Sequence, residues 1–133
     1  MKLKIFIVLA AIITTFSSCN KDYATDWVGT YTGVSGSTFN RIVVSKVNNN
    51  TIKMEFQQLA LGAYYTFATV ANGSVNKSSN VTISEDGNIY SFADVYHFSG
   101  GGSLNGNTLT INGQAQSKTN ASDVKLYTFT GSK

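Results

Sequence analysis

Proline is absent from the 133 residues, and cysteine, tryptophan and histidine occur once each. At roughly 5% average usage a chain of this length would hold about six or seven prolines. Its lack excludes Pro-rich linkers, polyproline ligand motifs and prolyl cis/trans switches. A lone cysteine excludes an intramolecular disulfide. A lone histidine leaves no ligand set for zinc, which takes three or four His, Cys or carboxylate groups, so no metal and no cofactor is expected. Charge is sparse, with 10 basic and 7 acidic residues. Lys2 and Lys4 sit in a leader segment, and without them the net charge falls to about +1, too little for a nucleic-acid footprint. The only long apolar run is Ile5 to Ile13, far short of the ~20 residues that span a bilayer as a helix. What remains is one domain's worth of chain.

Catalytic groups are equally thin. Asp94 and His97 are three apart, which puts them on opposite faces of a regular strand, so a triad-like pair is not expected. Glu85 and Asp86 are adjacent in what reads as a solvent-facing turn, unlike two carboxylates flanking a scissile bond. Gly100-Gly101-Gly102 lacks the following Lys and helix of a phosphate loop and reads as a bulge or wide turn. No catalytic residue is assigned, and the chain is expected not to be an enzyme.

Lys2 and Lys4, the apolar run and then Thr14 to Ser18 form the basic, hydrophobic and small-residue regions of an export signal over residues 1–18. Phe16-Ser17-Ser18-Cys19 resembles the lipobox of bacterial lipoproteins, with Phe16 where an aliphatic residue is usual. The resemblance implies cleavage before Cys19 and acylation of its thiol, so that Cys19 is the lipidation site and the membrane a partner. Two or more acyl chains hold a protein where one does not. Asn20-Lys21-Asp22 resembles the surface-export signals of Bacteroidota lipoproteins, which implies a cell-envelope, outer-membrane address with the leaflet left open. Residues 19–26 then form a lipidated polar tether, and order begins near Trp27.

From Trp27 to Lys133 strand-like runs alternate with Asn, Gly and Ser clusters. The expected strands are Trp27 to Val34, Thr38 to Val47, Thr51 to Gln57, Tyr64 to Ala71, Asn80 to Ser84, Asn88 to Phe98, Thr108 to Gln116 and Val124 to Thr130. Ile42/Val44 and Ile52/Met54/Phe56 alternate with polar neighbours at period 2, as in antiparallel sheet with one wet face. Asn48-Asn49-Asn50, Asp86-Gly87 and Asn105-Gly106 read as hairpin turns. Gln58 to Ala63 reads as a loop or wide bend, and Thr69 to Ser79 as a long polar connection. Successive hairpins without helices predict an all-β fold, an antiparallel up-and-down barrel of about eight strands. Closure removes the edges that absent prolines cannot block. Thr30-Tyr31-Thr32-Gly33 and Thr128-Phe129-Thr130-Gly131 echo one another, which suits first and last strands that pair.

Trp27-Val28-Gly29-Thr30-Tyr31-Thr32-Gly33, Gly106-Asn107-Thr108-Leu109-Thr110-Ile111 and Phe129-Thr130-Gly131-Ser132-Lys133 resemble small lipocalin-like domains of bacterial lipoproteins, although the order Trp-x-Gly differs from the lipocalin Gly-x-Trp. The resemblance covers residues 27–133 and implies that Trp27 plugs the barrel floor under a basic side chain, for which Lys125 and Lys133 are the candidates. Inward positions are expected at Ile42, Val44, Ile52, Met54, Phe56, Phe67, Val81, Ile83, Ile89, Leu109, Ile111 and Leu126, enough bulk to fill a short barrel. Tyr64, Tyr65, Phe67, Tyr90, Phe92, Tyr96 and Phe98 are the candidate ligand-binding residues, since aromatic rings on both faces of two strands must in part be exposed. Two functional readings follow: a barrel that binds a small apolar or amphipathic ligand, or a solid one that meets an envelope protein through loops at Thr69 to Ser79 and Ser99 to Ser103.

Overall fold

Ile42 and Val44 on one run, and Ile52, Met54 and Phe56 on the next, are buried, while Arg41, Val43, Lys53 and Glu55 between them reach the surface. That alternation bends the chain into a wall with one oily face. The computed structural model describes residues 21–133; the leader and Cys19 lie outside the described residues. Eight strands follow in order: β1 Gly29–Gly33, β2 Arg41–Asn48, β3 Thr51–Ala60, β4 Ala63–Val75, β5 Asn80–Asn88, β6 Val95–Asn105, β7 Thr108–Ser117 and β8 Val124–Ser132. Each pairs antiparallel with the next, and β8 returns to β1 through Thr32 opposite Ser132 and Gly33 opposite Gly131. The sheet is therefore a closed up-and-down barrel, consistent with a lipocalin-like fold, and the two echoing segments sit side by side.

The wall has two thin places. Beyond the short β1–β8 ladder the connection after Gly33 takes over: the Val34 and Thr38 amides donate to Thr130 O at 2.8 Å and Thr128 O at 2.7 Å. The Thr128 and Thr130 amides donate in return to the hydroxyls of Thr38 at 2.9 Å and Ser37 at 3.1 Å. Between β4 and β5 the ladder holds only at Ser74–Thr82 and Val75–Val81, with an isolated bridge at Ala68–Ile89. In the gap the Glu85 carboxylate accepts the amides of Ala71 and Asn72, so a side chain stands in for the missing strand carbonyls.

The turns around Asn49 and Asn50, 76–79, and Gly106 close one end of the barrel, here the floor, where the chain also enters. Order begins earlier than Trp27. The Tyr23 and Ala24 amides donate to Asn49 O at 2.9 and 3.0 Å, and Ala24 is fully buried. Trp27 ends a single 3-10 turn, Thr25–Trp27, and is buried in the core. Lys133 closes over this end: its Nζ donates to the carbonyls of Asp26 at 2.8 Å and Val28 at 2.9 Å, on either side of Trp27, and lies 5.2 Å from the Tyr31 ring centroid.

Asp22 caps the turn, its Oδ1 accepting the amides of Ala24 and Thr25 at 3.1 Å each while Lys46 Nζ holds Oδ2. The bonds from Lys46 and then Thr25 lower its pKa to about 2. Because the folded value lies below the unfolded one of about 3.9, the clamp contributes fully above pH 4 and is lost as pH falls through about 2. An NMR acid titration should show the Thr25 amide shifting with a midpoint near 2, and an Asp22→Asn variant should lack that step.

Four expectations about the chain's course are corrected. Asp86-Gly87 is no turn: both lie in β5, opposite His97 and Tyr96, and the bend falls at 89–94. A Cβ on Gly87 would lie 3.3 Å from the Phe98 ring, so this glycine makes room for an aromatic side chain. Thr69 to Ser79 is mostly strand: Val70 and, past a bulge opposite Ile52 and Met54, Gly73 and Val75 face inward, and β4 runs to Val75. Gly100-Gly101-Gly102 continues β6 without a turn, pairing with Gly113, Asn112 and Ile111, so neither Thr69 to Ser79 nor Ser99 to Ser103 is a loop that grips a partner. Gln58 to Ala63 is a tight hairpin rather than a wide bend, since Ala60 pairs with Ala63. The turn at Asn105-Gly106 stands as expected, Asn105 facing Thr108.

Ten of the twelve expected inward residues are buried. Phe67 is only partly so, and Leu126 is 76% exposed. In β8 the inward phase belongs to Tyr127 and Phe129, so Leu126 shares the outer face with Thr128.

Candidate functional site

Opposite the floor, the mouth is ringed by the ends of β1 to β8 and by the connections 34–40, 61–62, 89–94 and 118–123. The interior below it is shut. Phe39, from the first connection, lies over the barrel with its ring stacked on Phe56, centroids 4.8 Å apart and planes at 15°. Phe67 and Tyr127 flank it at 5.8 and 6.3 Å, and Phe98 meets Tyr127 at 6.4 Å. The double hydrogen bonding of 34–38 to β8 fixes this plug in place. Tyr127 donates its hydroxyl to Ser99 O at 3.2 Å, and burial pushes that hydroxyl up to about 12, so it stays a donor at neutral pH.

A cavity of about 110 Å³ is left beside the plug, lined chiefly by Phe39, Phe67, Ile89, Phe98, Ala115 and Tyr127, with Gln58, Lys125 and Leu126 at its rim. Pockets for small molecules run from roughly 300 to 1,000 Å³. This one takes a single side-chain-sized apolar group. Lys125 Nζ lies 4.4 Å from the Phe92 ring centroid and 5.3 Å from that of Tyr96, and pairs with Asp123 at 2.7 Å. The bonds from Lys125 and from the Tyr96 hydroxyl hold Asp123 below its ordinary carboxylate range.

The seven candidate aromatic residues divide. Tyr96 and Phe98 are core residues, and Phe67 is packed against the core. Tyr64 and Tyr65 are exposed on β4, while Tyr90 and Phe92 are exposed on the 89–94 connection and not on a strand. Sequence reasoning missed Phe39 and Tyr127, and it set Lys125 over Trp27 at the floor, whereas Lys125 lies at the mouth beside Phe92 and Asp123. Phe39 breaks the period-2 phase of Ile42 and Val44, so periodicity could not find it. Tyr127 was findable, because Tyr127 and Phe129 alternate with Thr128 and Thr130.

The hairpin between β3 and β4 stands beyond its neighbours. The last β3 residue paired with β2 is Gln57, opposite Arg41, yet β3 continues for three residues paired only with β4, about 10 Å of strand. Its base is braced: Asn40 Oδ1 accepts the Leu59 amide at 2.8 Å, Tyr65 donates to Gln58 Oε1 at 2.7 Å, and the Arg41 guanidinium lies 3.7 Å from the Tyr64 ring centroid. Its tip, Leu59-Ala60-Leu61-Gly62-Ala63, has no polar side chain. Leu61 and Gly62 hold φ of 51° and 80°, the two positive values a type I′ turn needs. For leucine the left-handed region costs about 1–2 kcal/mol, and Leu61 is fully exposed besides. The fold gains nothing from it, so Leu61→Asn, the residue such turns prefer, should raise barrel stability by about 1 kcal/mol in a urea melt.

Of the twelve exposed large hydrophobic residues, ten lie at or beside the mouth; only Val28 and Val47 belong to the floor end. On the outer wall His97 Nδ1 and Lys118 Nζ both reach Asp86, each at 2.8 Å, and their hydrogen bonds, Lys118 first, lower the pKa of Asp86. Asp94 is bonded instead to the hydroxyls of Ser117 and Thr119. Among the described residues no three His, Cys, Asp or Glu side chains gather as metal ligands would. No protein-family model matches the sequence, and no curated protein or solved structure does so either.

Proposed function

We propose that this chain is a lipid-anchored, non-enzymatic cell-envelope protein of the outer membrane. Its lipocalin-like barrel has a solid core and works as an interaction module through its mouth end. The observation that carries the choice over a cargo carrier is the aromatic plug: Phe39 on Phe56 leaves a slot of about 110 Å³ inside the barrel where a carrier needs several times that volume, while the larger cleft of about 530 Å³ lies outside it at the floor end, an open and mainly polar groove between Thr25, Asp26, Ser79, Asn107 and Lys133. The concentration of exposed apolar side chains at the end away from the chain's entrance supports the same reading. The anchor rests on the signal-like leader and the lipobox-like Phe16 to Cys19. Trp27, with Lys133 bonded to the carbonyls on either side of it, then serves as the membrane-proximal floor.

Small-ligand binding is the second reading, favoured by the slot's apolar lining and the Lys125 ammonium at its rim, which together suit the last few carbons of an amphipathic molecule. Native mass spectrometry of the protein from Asn20 onward, with displacement of a fluorescent fatty acid, separates the two. The interaction reading expects an unliganded mass and no saturable displacement. A copurifying lipid, or displacement at micromolar concentration, would replace it with the carrier reading. Mass analysis of the N-terminal peptide from envelope fractions tests the anchor, which requires an acylated Cys19 as first residue.

A further inference from the structure

We propose that the partner at the mouth is a second copy of this chain, bound head to head, with Leu61 of each copy seated in the mouth slot of the other. This rests on the interaction reading above and names its occupant. A water-sized group occupies about 30 Å³, a methyl group much the same, so a slot of about 110 Å³ holds about four carbons, which is one leucine side chain. A leucine that the fold does not need stands on the same end of the barrel, fully exposed, at the tip of a braced hairpin projecting beyond the rim. Knob and socket are adjacent, since Gln58 and Phe67 at the hairpin's base also line the slot. A two-fold axis between them makes the contact twice, as a closed, self-complementary dimer requires.

Charge allows the approach. Around the mouth Lys125 is paired with Asp123 and Lys118 with Asp86, while Arg41 lies over Tyr64 and bonds Gln57. Asp94, held by the Val95 amide and the hydroxyls of Ser117 and Thr119 and by no cation, is the charge that the two-fold axis must keep away from its own copy. Area allows it too. A stable dimer buries about 800 Å² per partner, and ten large apolar side chains, each at least 40% exposed, stand at or beside this end. The hairpin's polar braces fix the knob before contact, which lowers the ordering cost of association. Because the chain enters at the floor, the two entrances face away from each other, so anchored copies pair across facing membranes and not as neighbours in one.

The test is sedimentation velocity on residues 21–133, which contain the whole barrel and its core, over a concentration series. A reversible dimer is expected, and Leu61→Asp should weaken it at least a hundredfold, because each dimer loses the contact twice. Since these residues contain no cysteine, a mixture of a Leu61→Cys copy and a Leu126→Cys copy should crosslink through the slot rim. A mixture of Leu61→Cys with Val28→Cys, at the floor end, should not. A wild-type protein that stays monomeric into the millimolar range overturns the proposal, as does a dimer that Leu61→Asp leaves intact. A monomer that neither displaces fatty acid nor carries lipid sinks self-pairing alone and leaves the interaction reading in place. A monomer that binds fatty acid sinks both. Loss of binding to a different envelope protein in Leu61→Asp, with the wild type still monomeric, would reassign the knob to that partner.

Discussion

Phe39→Ala should destabilise the barrel by about 3–5 kcal/mol and at the same time create a ligand site that the wild type lacks. Phe39 belongs to no strand, yet it is almost completely buried, and its ring meets those of Phe56, Phe67 and Tyr127. Removing it forfeits transfer of the ring from water and the ring–ring contacts, worth about 0.5–1.5 kcal/mol per pair beyond area. The hydrogen bonds of 34–38 to β8 are untouched by the substitution, so the connection stays in place and cannot collapse to fill the space. The space joins the slot of about 110 Å³ into a cavity fit for a short acyl chain. Urea unfolding followed by fatty-acid displacement reads both effects. Phe92→Ala, at an exposed ring on the same mouth, should cost about 1 kcal/mol or less. Equal losses at the two positions would show that the plug is not what fills the barrel.

Gly102→Ala is expected to cost about 3 kcal/mol or more, although it adds a single carbon. In β6 Gly102 faces Ile111 of β7, and a Cβ there would lie 2.0 Å from the Thr110 carbonyl oxygen and 2.6 Å from Ile111 Cδ1. Both are fixed, the first by the β7–β8 ladder and the second by the core, so the strands must separate and lose ladder bonds along β6–β7. Overpacking in a well-packed interior costs about 1–3 kcal/mol when side chains can yield; here backbone must. Gly36→Ala is the comparison: open space surrounds that site, and only its φ of 92° resists a side chain. The urea midpoint should fall far more for Gly102→Ala than for Gly36→Ala, with the slope of unfolding unchanged if both stay two-state. Similar losses would mean that β6 and β7 are held less closely than described.

Those two glycines also show what the sequence conveys and what it conceals. A glycine needed for a turn and one needed for close packing look alike in a string of letters. Asn105-Gly106 is a turn, as its letters suggest. Asp86-Gly87 carries similar letters without being a turn, because the Phe98 ring that explains Gly87 comes from the next strand. Clean alternation revealed β2 and β3 and ten of the inward residues, since burial on one face and water on the other writes itself into period 2. Polar stretches such as Asn72-Gly73-Ser74 hid the length of β4, whose inward residues past Ala68 and Val70 are Gly73 and Val75, shifted in phase by a bulge. The mouth was least legible. Phe39 lies out of phase with its neighbours, Lys125 finds Phe92 and Asp123 only after closure, and the strained exposure of Leu61 is visible only once its φ is known. At the floor Trp27 is buried, and Lys133 stands over Tyr31 and bonds the carbonyls beside Trp27, contacts that no spacing in the sequence reveals.

Crystals of residues 21–133 held under xenon pressure would test the filled barrel most directly, because xenon enters dry apolar cavities of this size without a designed contact. The account predicts one xenon atom, at the mouth among Phe39, Phe67, Phe98 and Tyr127, and none between the rings of Phe56 and Trp27. Xenon sites strung along the barrel axis would contradict it, since they would show an interior that the protein's own side chains do not fill.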